Sequence, residues 1–179
     1  MENGKPVAGV EIGVTPRESW QGGMNLAISG GVYDEILIGT RDDGTFAITD
    51  VPAPEEWIVY AKMASIASQG ATDPVVIAPS HDNQEVNVGD IQIKHGYRLR
   101  GRVALSDGKQ IADGMRMYIS SDVTRDTQSL LLPADGSFEF KGLAGGSYSL
   151  WAAVKGYARP KDGQDKAILD RDIPLCQHV

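Results

Sequence analysis

The sequence predicts an all-β protein built as two tandem antiparallel β-sandwich domains, and three observations predict it. The first is an internal repeat. Around Gly44 the chain reads Asp42-Asp43-Gly44-Thr45-Phe46-Ala47-Ile48, then Val51-Pro52, then Trp57-Ile58-Val59-Tyr60-Ala61. The turn at Gly44 recurs at Gly136, 92 residues on, as Ala134-Asp135-Gly136-Ser137-Phe138-Glu139-Phe140, followed by Leu143-Ala144-Gly145-Gly146 and Tyr148-Ser149-Leu150-Trp151-Ala152. Gly4–Ile12 matches Gly108–Met117 with one residue inserted, and Val86–Ile93 matches Ile168–Leu175. Three matched blocks in one order imply duplication of a whole domain. The second observation is that apolar residues alternate with the period of a strand. The third is that Asp-Gly and Gly-Gly pairs separate the alternating runs, where glycine accepts the positive φ of a tight turn.

In the first copy, Val10, Ile12 and Val14 share one strand face, as do Phe46 and Ile48, then Val59 and Ala61. Val86 and Val88, and after a small offset Ile91 and Ile93, close the copy. Helix content is expected to be very low, and only Tyr60–Ala67, with its alanines, would tolerate a helical turn. The second copy alternates through Leu99, Gly101, Val103 and Leu105, then Met115, Met117 and Ile119. Phe138 and Phe140 follow, then Tyr148, Leu150 and Ala152. The turns fall at Asp43-Gly44, Asp107-Gly108, Asp135-Gly136 and Gly145-Gly146. The domains are therefore expected at 1–94 and 95–179, joined in a semi-rigid tandem by the short stretch Lys94-His95-Gly96.

The copies differ in two places. Val14 to Gly44 takes 30 steps and Ile119 to Gly136 takes 17, so the first copy carries a loop insertion near 15–31 that includes Trp20-Gln21-Gly22-Gly23-Met24. The first copy also has only Met1-Glu2-Asn3 where the second has Tyr97–Val103, so its opening strand is missing and the chain reads as a piece of something longer. An absent strand leaves backbone groups of its neighbour unpaired. The first domain is thus expected to be the less stable one, open to edge-strand self-association with a neighbouring molecule. Restoring upstream residues should raise its melting transition.

Two domains of roughly 90 residues can each fold alone, though with little spare stability. A hydrophobic fraction of 41% and an aromatic fraction of 7% suit a globular protein. The net charge of −7 and pI near 4.9 argue against nucleic acid as a partner. Arg98, Arg100 and Arg102 alternate with Leu99, Gly101 and Val103 and read as one solvated strand face. The single cysteine, Cys176, allows no intrachain disulfide, so cysteine usage does not report the compartment. No stretch is long and apolar enough to span a bilayer, and Met1-Glu2-Asn3-Gly4 lacks the features of a signal peptide.

At these motifs the chain resembles the carboxypeptidase regulatory-like domains, which are transthyretin-like, Ig-like β-sandwiches. The resemblance rests on Gly101-Arg102-Val103, on the Gly4–Gly9 turn, and on Asp43–Phe46 and Asp135–Phe138. Leu143–Leu150 and Gly156-Tyr157 complete it. The second copy fits along its length, whereas the first shows Pro52-Ala53-Pro54-Glu55-Glu56-Trp57 where Gly-x-Tyr is usual. The resemblance implies a non-catalytic accessory part of a larger exported bacterial protein, with no enzyme activity and no cofactor. Its place would be extracellular, periplasmic or at the cell surface, and its role spacing, adhesion or binding. The partner would be a protein or a polysaccharide. Because such motifs specify fold, no site residue comes with them.

The residues themselves suggest little chemistry. His81, His95 and His178 do not stand at metal-ligand spacing, and Cys176 with His178 lacks two further ligands for zinc. Asp42-Asp43-Gly44 and Asp162-Gly163-Gln164-Asp165 lack the staggered oxygens of a calcium loop and read as turns. No Gly-x-Ser-x-Gly elbow is present, and Gly22-Gly23 and Gly30-Gly31 precede no Lys-Ser/Thr. Aromatic residues give the one lead. Trp20 in the insertion, with Tyr33 behind it, is a candidate ligand-binding pair, since an exposed Trp can stack on a sugar or anchor a protein. The bland reading has Trp20 folding back over a core that lacks a strand. The alternatives are a carbohydrate-binding module using Trp20 and the ligand-sensing ectodomain of a membrane receptor.

Overall fold

Period-two alternation buries Ile12 and Val14 on one face of a strand, and in the computed structural model that strand lies at the centre of a sheet. The structure describes residues 4–17, 36–49, 51, 56–78, 81, 84–153, 155–156 and 166–169. In chain order the elements are β1 (Glu11–Pro16), β2 (Ile36–Gly39), β3 (Trp57–Ala61), α1 (Met63–Ile66), β4 (Ala71–Thr72), β5 (Val75–Ile77) and β6 (Ile93–Lys94). Then come β7 (Tyr97–Arg102), β8 (Arg116–Ser121), β9 (Thr127–Leu131), β10 (Ser137–Leu143), β11 (Gly146–Ala153) and β12 (Lys166–Leu169). The chain forms two compact units, Met1–Ile66 with Thr72–Lys94, and Ala67–Ala71 with His95–Val179.

The first unit holds an antiparallel sheet in the order β2-β1-β3-β5. Its core gathers Val10, Ile12, Val14, Trp57, Val59, Ala61 and Ile66. The helical turn allowed by the alanines forms as α1, directly after β3, and buries Met63 and Ile66. Ser65 anchors it: its hydroxyl donates to the Lys62 carbonyl at 2.9 Å and accepts from the Glu11 amide at 3.2 Å.

The second unit holds two antiparallel sheets, β12-β11-β8-β9 and β10-β7. Met117, Ile119, Tyr148 and Leu150 from the larger sheet are buried, as are Leu99, Phe138, Phe140 and Leu143 from the smaller one. Phe138 and Phe140 pack tilted, with ring centroids 5.9 Å apart. Arg98, Arg100 and Arg102 lie exposed along β7 while Leu99 is buried, as the alternation predicts. Arg100 Nε donates to Glu139 Oε1 at 2.7 Å, and Arg102 Nε donates to the Asp135 carbonyl at 2.7 Å.

Strand register recurs between the units. In β1 and β3 the pairs are Ile12↔Ala61, Val14↔Val59 and Pro16↔Trp57. Their counterparts in β8 and β11 are Met117↔Ala152, Ile119↔Leu150 and Ser121↔Tyr148.

Two expected strands of the first copy do not form. Residues 45–49, counterpart of β10, carry no strand, and of Val86–Ile93 only the last residue enters one, β6. The apolar alternation still aims Phe46, Ile48, Val88 and Ile91 at the core. What is missing beside 45–48 in the described residues is a laterally paired neighbour of the kind β7 supplies to β10.

The tight turns make a direct test of this geometry. Gly136 has φ +75, and a Cβ there would stand 2.0 Å from the Val103 carbonyl oxygen, whereas Gly108 has φ +72 and open space around it. Gly108→Ala should cost about 1 kcal/mol from backbone strain alone. Gly136→Ala should cost clearly more, about 3 kcal/mol, because strain and overlap add. Urea midpoints of the two variants check this, and equal midpoints would contradict it.

Candidate binding cleft

The inner face of β1 and β3 offers Ile12, Val14 and Val59 as an apolar floor. Over it stand two segments without regular structure, residues 43–49 and 51 carrying Phe46, Ile48 and Val51, and residues 84–91 carrying Val86, Val88 and Ile91. Between floor and walls lies an open cleft of about 1270 Å³. That exceeds the roughly 300–1,000 Å³ of ordinary small-molecule sites. Its charged lining is acidic, from Asp43, Glu85 and Asp90, with no Lys or Arg among the described lining residues.

In the second unit Phe138 and Phe140 are 6% and 2% exposed, on a β10 whose lateral neighbour β7 pairs Phe138↔Gly101, Phe140↔Leu99 and Leu143↔Tyr97. Gly101 allows the close fit, since a Cβ on it would stand 2.4 Å from Phe138 Cζ. Phe46 and Ile48 are only half-buried, and Val86 is 41% exposed.

The cleft ends at the Asp43-Gly44-Thr45 turn. Gly44 N donates to the Arg41 carbonyl at 2.8 Å, and Asp43 Oδ1 accepts from Thr45 N at 3.0 Å and Thr45 Oγ1 at 2.7 Å. Asp135 does the same for Ser137, at 3.0 Å and 2.9 Å. Both Asp-Gly pairs are thus turns, and the carboxylates are engaged by backbone and hydroxyl. These bonds hold both carboxyls below their ordinary pKa: for Asp43 the Thr45 hydroxyl contributes most, for Asp135 the Ser137 amide. Thr40 secures the other edge, its hydroxyl donating to the Val7 carbonyl at 2.8 Å and accepting from the Val10 amide at 3.0 Å.

The candidate pair Trp20 and Tyr33, like the insertion beyond Arg17, lies outside the described residues. So do His178, Cys176 and the Asp162–Asp165 stretch. His81 is exposed on the cleft lining and His95 is exposed in the second unit. Among the described residues no three His, Cys, Asp or Glu side chains converge as a metal site.

Three features lay beyond the sequence reading: the cleft, an aromatic stack and the hydrogen bond of the Tyr148 hydroxyl. The cleft itself depends on which half of a repeat lacks a partner in space. On the second unit, Tyr118 and Trp151 are direct cross-strand neighbours stacked at 5.3 Å and 4°, on the face opposite Met117 and Leu150. Their alternation phase was the available signal. Tyr148 is buried, donates its hydroxyl to the Ala144 carbonyl at 3.0 Å, and has its pKa pushed up to about 12, chiefly by burial.

No protein-family model and no curated protein matches the chain, so the carboxypeptidase regulatory-like resemblance has no family match behind it. Among solved structures the chain is similar to GBS52, a minor pilin of Streptococcus agalactiae, at 16% identity, covering 92% of this chain and 78% of that one, with a TM-score of 0.32. A similarity to an E139A mutant of the shaft pilin SpaA of Lactobacillus rhamnosus GG has 11% identity, 85% and 77% coverage and a TM-score of 0.31. The Bacillus anthracis TIE protein gives 13% identity, 86% and 26% coverage and a TM-score of 0.31. These likenesses are distant.

The Asp135 turn and the Tyr148–Ala144 bond each make a prediction. A carboxyl whose folded pKa is depressed stabilises the fold above its unfolded pKa and loses that contribution as pH falls through the folded value. The urea-midpoint advantage of wild type over Asp135→Asn should therefore be full at neutral pH and shrink below about pH 4. An advantage unchanged at low pH would contradict the assignment. Tyr148→Phe removes the bond to Ala144 and should cost about 1 kcal/mol in the same assay.

Proposed function

We propose that the chain is a non-catalytic accessory module of a larger exported bacterial protein, acting in spacing, adhesion or binding at the cell surface. In this reading it comprises two copies of a carboxypeptidase regulatory-like β-sandwich, transthyretin-like and Ig-like, at 1–94 and 95–179. The observation that carries it is the recurring register, Ile12↔Ala61 and Val14↔Val59 against Met117↔Ala152 and Ile119↔Leu150. Cross-strand pairs are the units from which a sheet gains stability, so a shared register supports a shared fold more strongly than shared turns do. The chemistry of the Asp-Gly turns supports it too, since in both copies the polar side chains serve the scaffold. The partner is a protein or a polysaccharide, and within this reading Trp20 and Tyr33 supply rigid aromatic contact surface.

Calorimetry of the full chain tests the two-copy architecture. Two unfolding transitions are expected, the lower shifted by Ile12→Ala and the upper by Ile119→Ala, each variant costing about 2–5 kcal/mol in its own unit. A single transition moved by both would overturn it. Titration with bacterial and plant polysaccharides, read by tryptophan fluorescence, tests the binding role. A saturable change lost in Trp20→Phe assigns a carbohydrate ligand, and cleavage of the added polymer would overturn the non-catalytic reading.

A further inference from the structure

We infer that the solvated face of the larger sheet in the second unit binds a glycan chain, held on the Tyr118–Trp151 stack and the row of hydroxyls beside it. The inference goes beyond the reading above, since it places a site on the second unit and stands on that unit's geometry alone. β8 and β11 turn Met117, Ile119, Tyr148 and Leu150 to the core, so Tyr118, Ser120, Ser149 and Trp151 share the opposite face. Register sets these four in two neighbouring rungs, Tyr118↔Trp151 and Ser120↔Ser149. β9 continues both rungs, with Ser129 beside Tyr118 and Thr127 beside Ser120, each exposed. Arg116 and Leu131 form the next rung, where Leu131 is 59% exposed. Successive rungs lie about 7 Å apart, twice the rise of a strand residue.

Outward positions of an antiparallel sheet are ordinarily polar, so two large rings half-buried among hydroxyls set this face apart. Stacked on each other, the rings hold one geometry and form a pre-organised contact surface. A sugar ring carries C–H groups on its faces and hydroxyls around its rim. Its faces suit the aromatic pair, and its rim suits the hydroxyls one rung away.

Those hydroxyls are held in place. The Ser149 hydroxyl donates to Asp122 Oδ1 at 2.8 Å, and the Ser147 hydroxyl donates to Asp122 Oδ2. The Thr127 hydroxyl donates to Ser120 Oγ at 3.1 Å, and the Ser120 hydroxyl donates to the Arg125 carbonyl at 3.3 Å. Arg125 has φ +61, the one positive value at a non-glycine among the described residues, so a strained backbone presents that carbonyl. Arg116 Nη1 donates to Ser129 Oγ at 2.9 Å. A hydroxyl has one donor and two acceptor sites, so these bonds leave lone pairs on Ser120 and Ser149 and the proton of Ser129 for a ligand. A protein partner would bury this row against the apolar core of an interface, whereas a glycan pairs with it hydroxyl by hydroxyl. Charge is not the main offer of the face, since Asp122 and Arg116 are both bonded to its hydroxyls.

The test titrates the full chain with cellohexaose, xylohexaose, mannohexaose and chitohexaose by isothermal calorimetry, and follows backbone amide shifts by NMR. At least one of these probes should bind saturably, moving the amides of 118–120 and 149–151 and leaving those of 99–102 in place. Trp151→Ala and Tyr118→Ala should each weaken binding at least about 10-fold, the scale of a lost aromatic anchor. Trp151→Phe, which keeps a ring in the stack, should stay within about 3-fold of wild type. Ser149→Ala, which leaves the sheet as it is, should cost about 5-fold, the worth of one hydrogen bond. Raising ionic strength from about 0.1 M to about 1 M should change affinity by less than about 2-fold, because the contact is not led by charge. Binding of no probe overturns the inference, as does binding that both alanine variants leave intact or that salt abolishes. A response lost in Trp20→Phe and kept in Trp151→Ala would put the glycan at the insertion, overturning this site and leaving the proposed module standing. Failure of the module reading shows separately, as cleavage of a probe.

Discussion

An antiparallel sheet with one apolar face is stable only if something covers that face, and the rest of this structure follows from how each unit meets that demand. In the second unit the apolar residues of both sheets are buried, and β10 has β7 paired at its side. The pairing buries Phe138, Phe140 and Leu99, with Gly101 letting the Phe138 ring lie against the backbone. In the first unit the segments carrying Phe46 and Ile48, and Val88 and Ile91, pack against the floor, and neither is a strand among the described residues. Burial is shallower for that reason, and a cleft stands where close packing would otherwise be.

The acidic side chains divide between two tasks. Asp43 and Asp135 close their turns, each carboxylate accepting from the amide and hydroxyl two residues on, which fixes the entry of the segment that must cover the core. Asp107 is used in the same way, accepting from the Lys109 amide at 3.1 Å. Other carboxylates make exposed ion pairs, such as Arg17 with Glu56 at 3.1 Å and Lys141 with Glu139 at 3.3 Å, and these contribute little to stability.

Much of the fold was legible because it is local. The faces of Val10, Ile12 and Val14, of Met117 and Ile119, and of Tyr148 and Leu150 follow from alternation alone, since successive side chains on a strand must point opposite ways. The Asp-Gly turns followed from the need for positive φ at Gly44 and Gly136. Even the one helical turn stands within the stretch where alanines allowed it. The lead from Trp20 and Tyr33 lies outside the described residues. Nothing local in Thr45-Phe46-Ala47-Ile48 distinguishes it from Ser137-Phe138-Glu139-Phe140.

By itself, then, the sequence determined the strand class, the facing of the apolar residues, the turn positions and the 92-residue repeat, because each depends on neighbours along the chain. Tertiary structure decided which of the equivalent segments became strands. The same alternating pattern is a ladder at 137–143 and irregular at 45–49. A strand is defined by the hydrogen-bonding partner beside it, and that partner is set by what lies alongside in space.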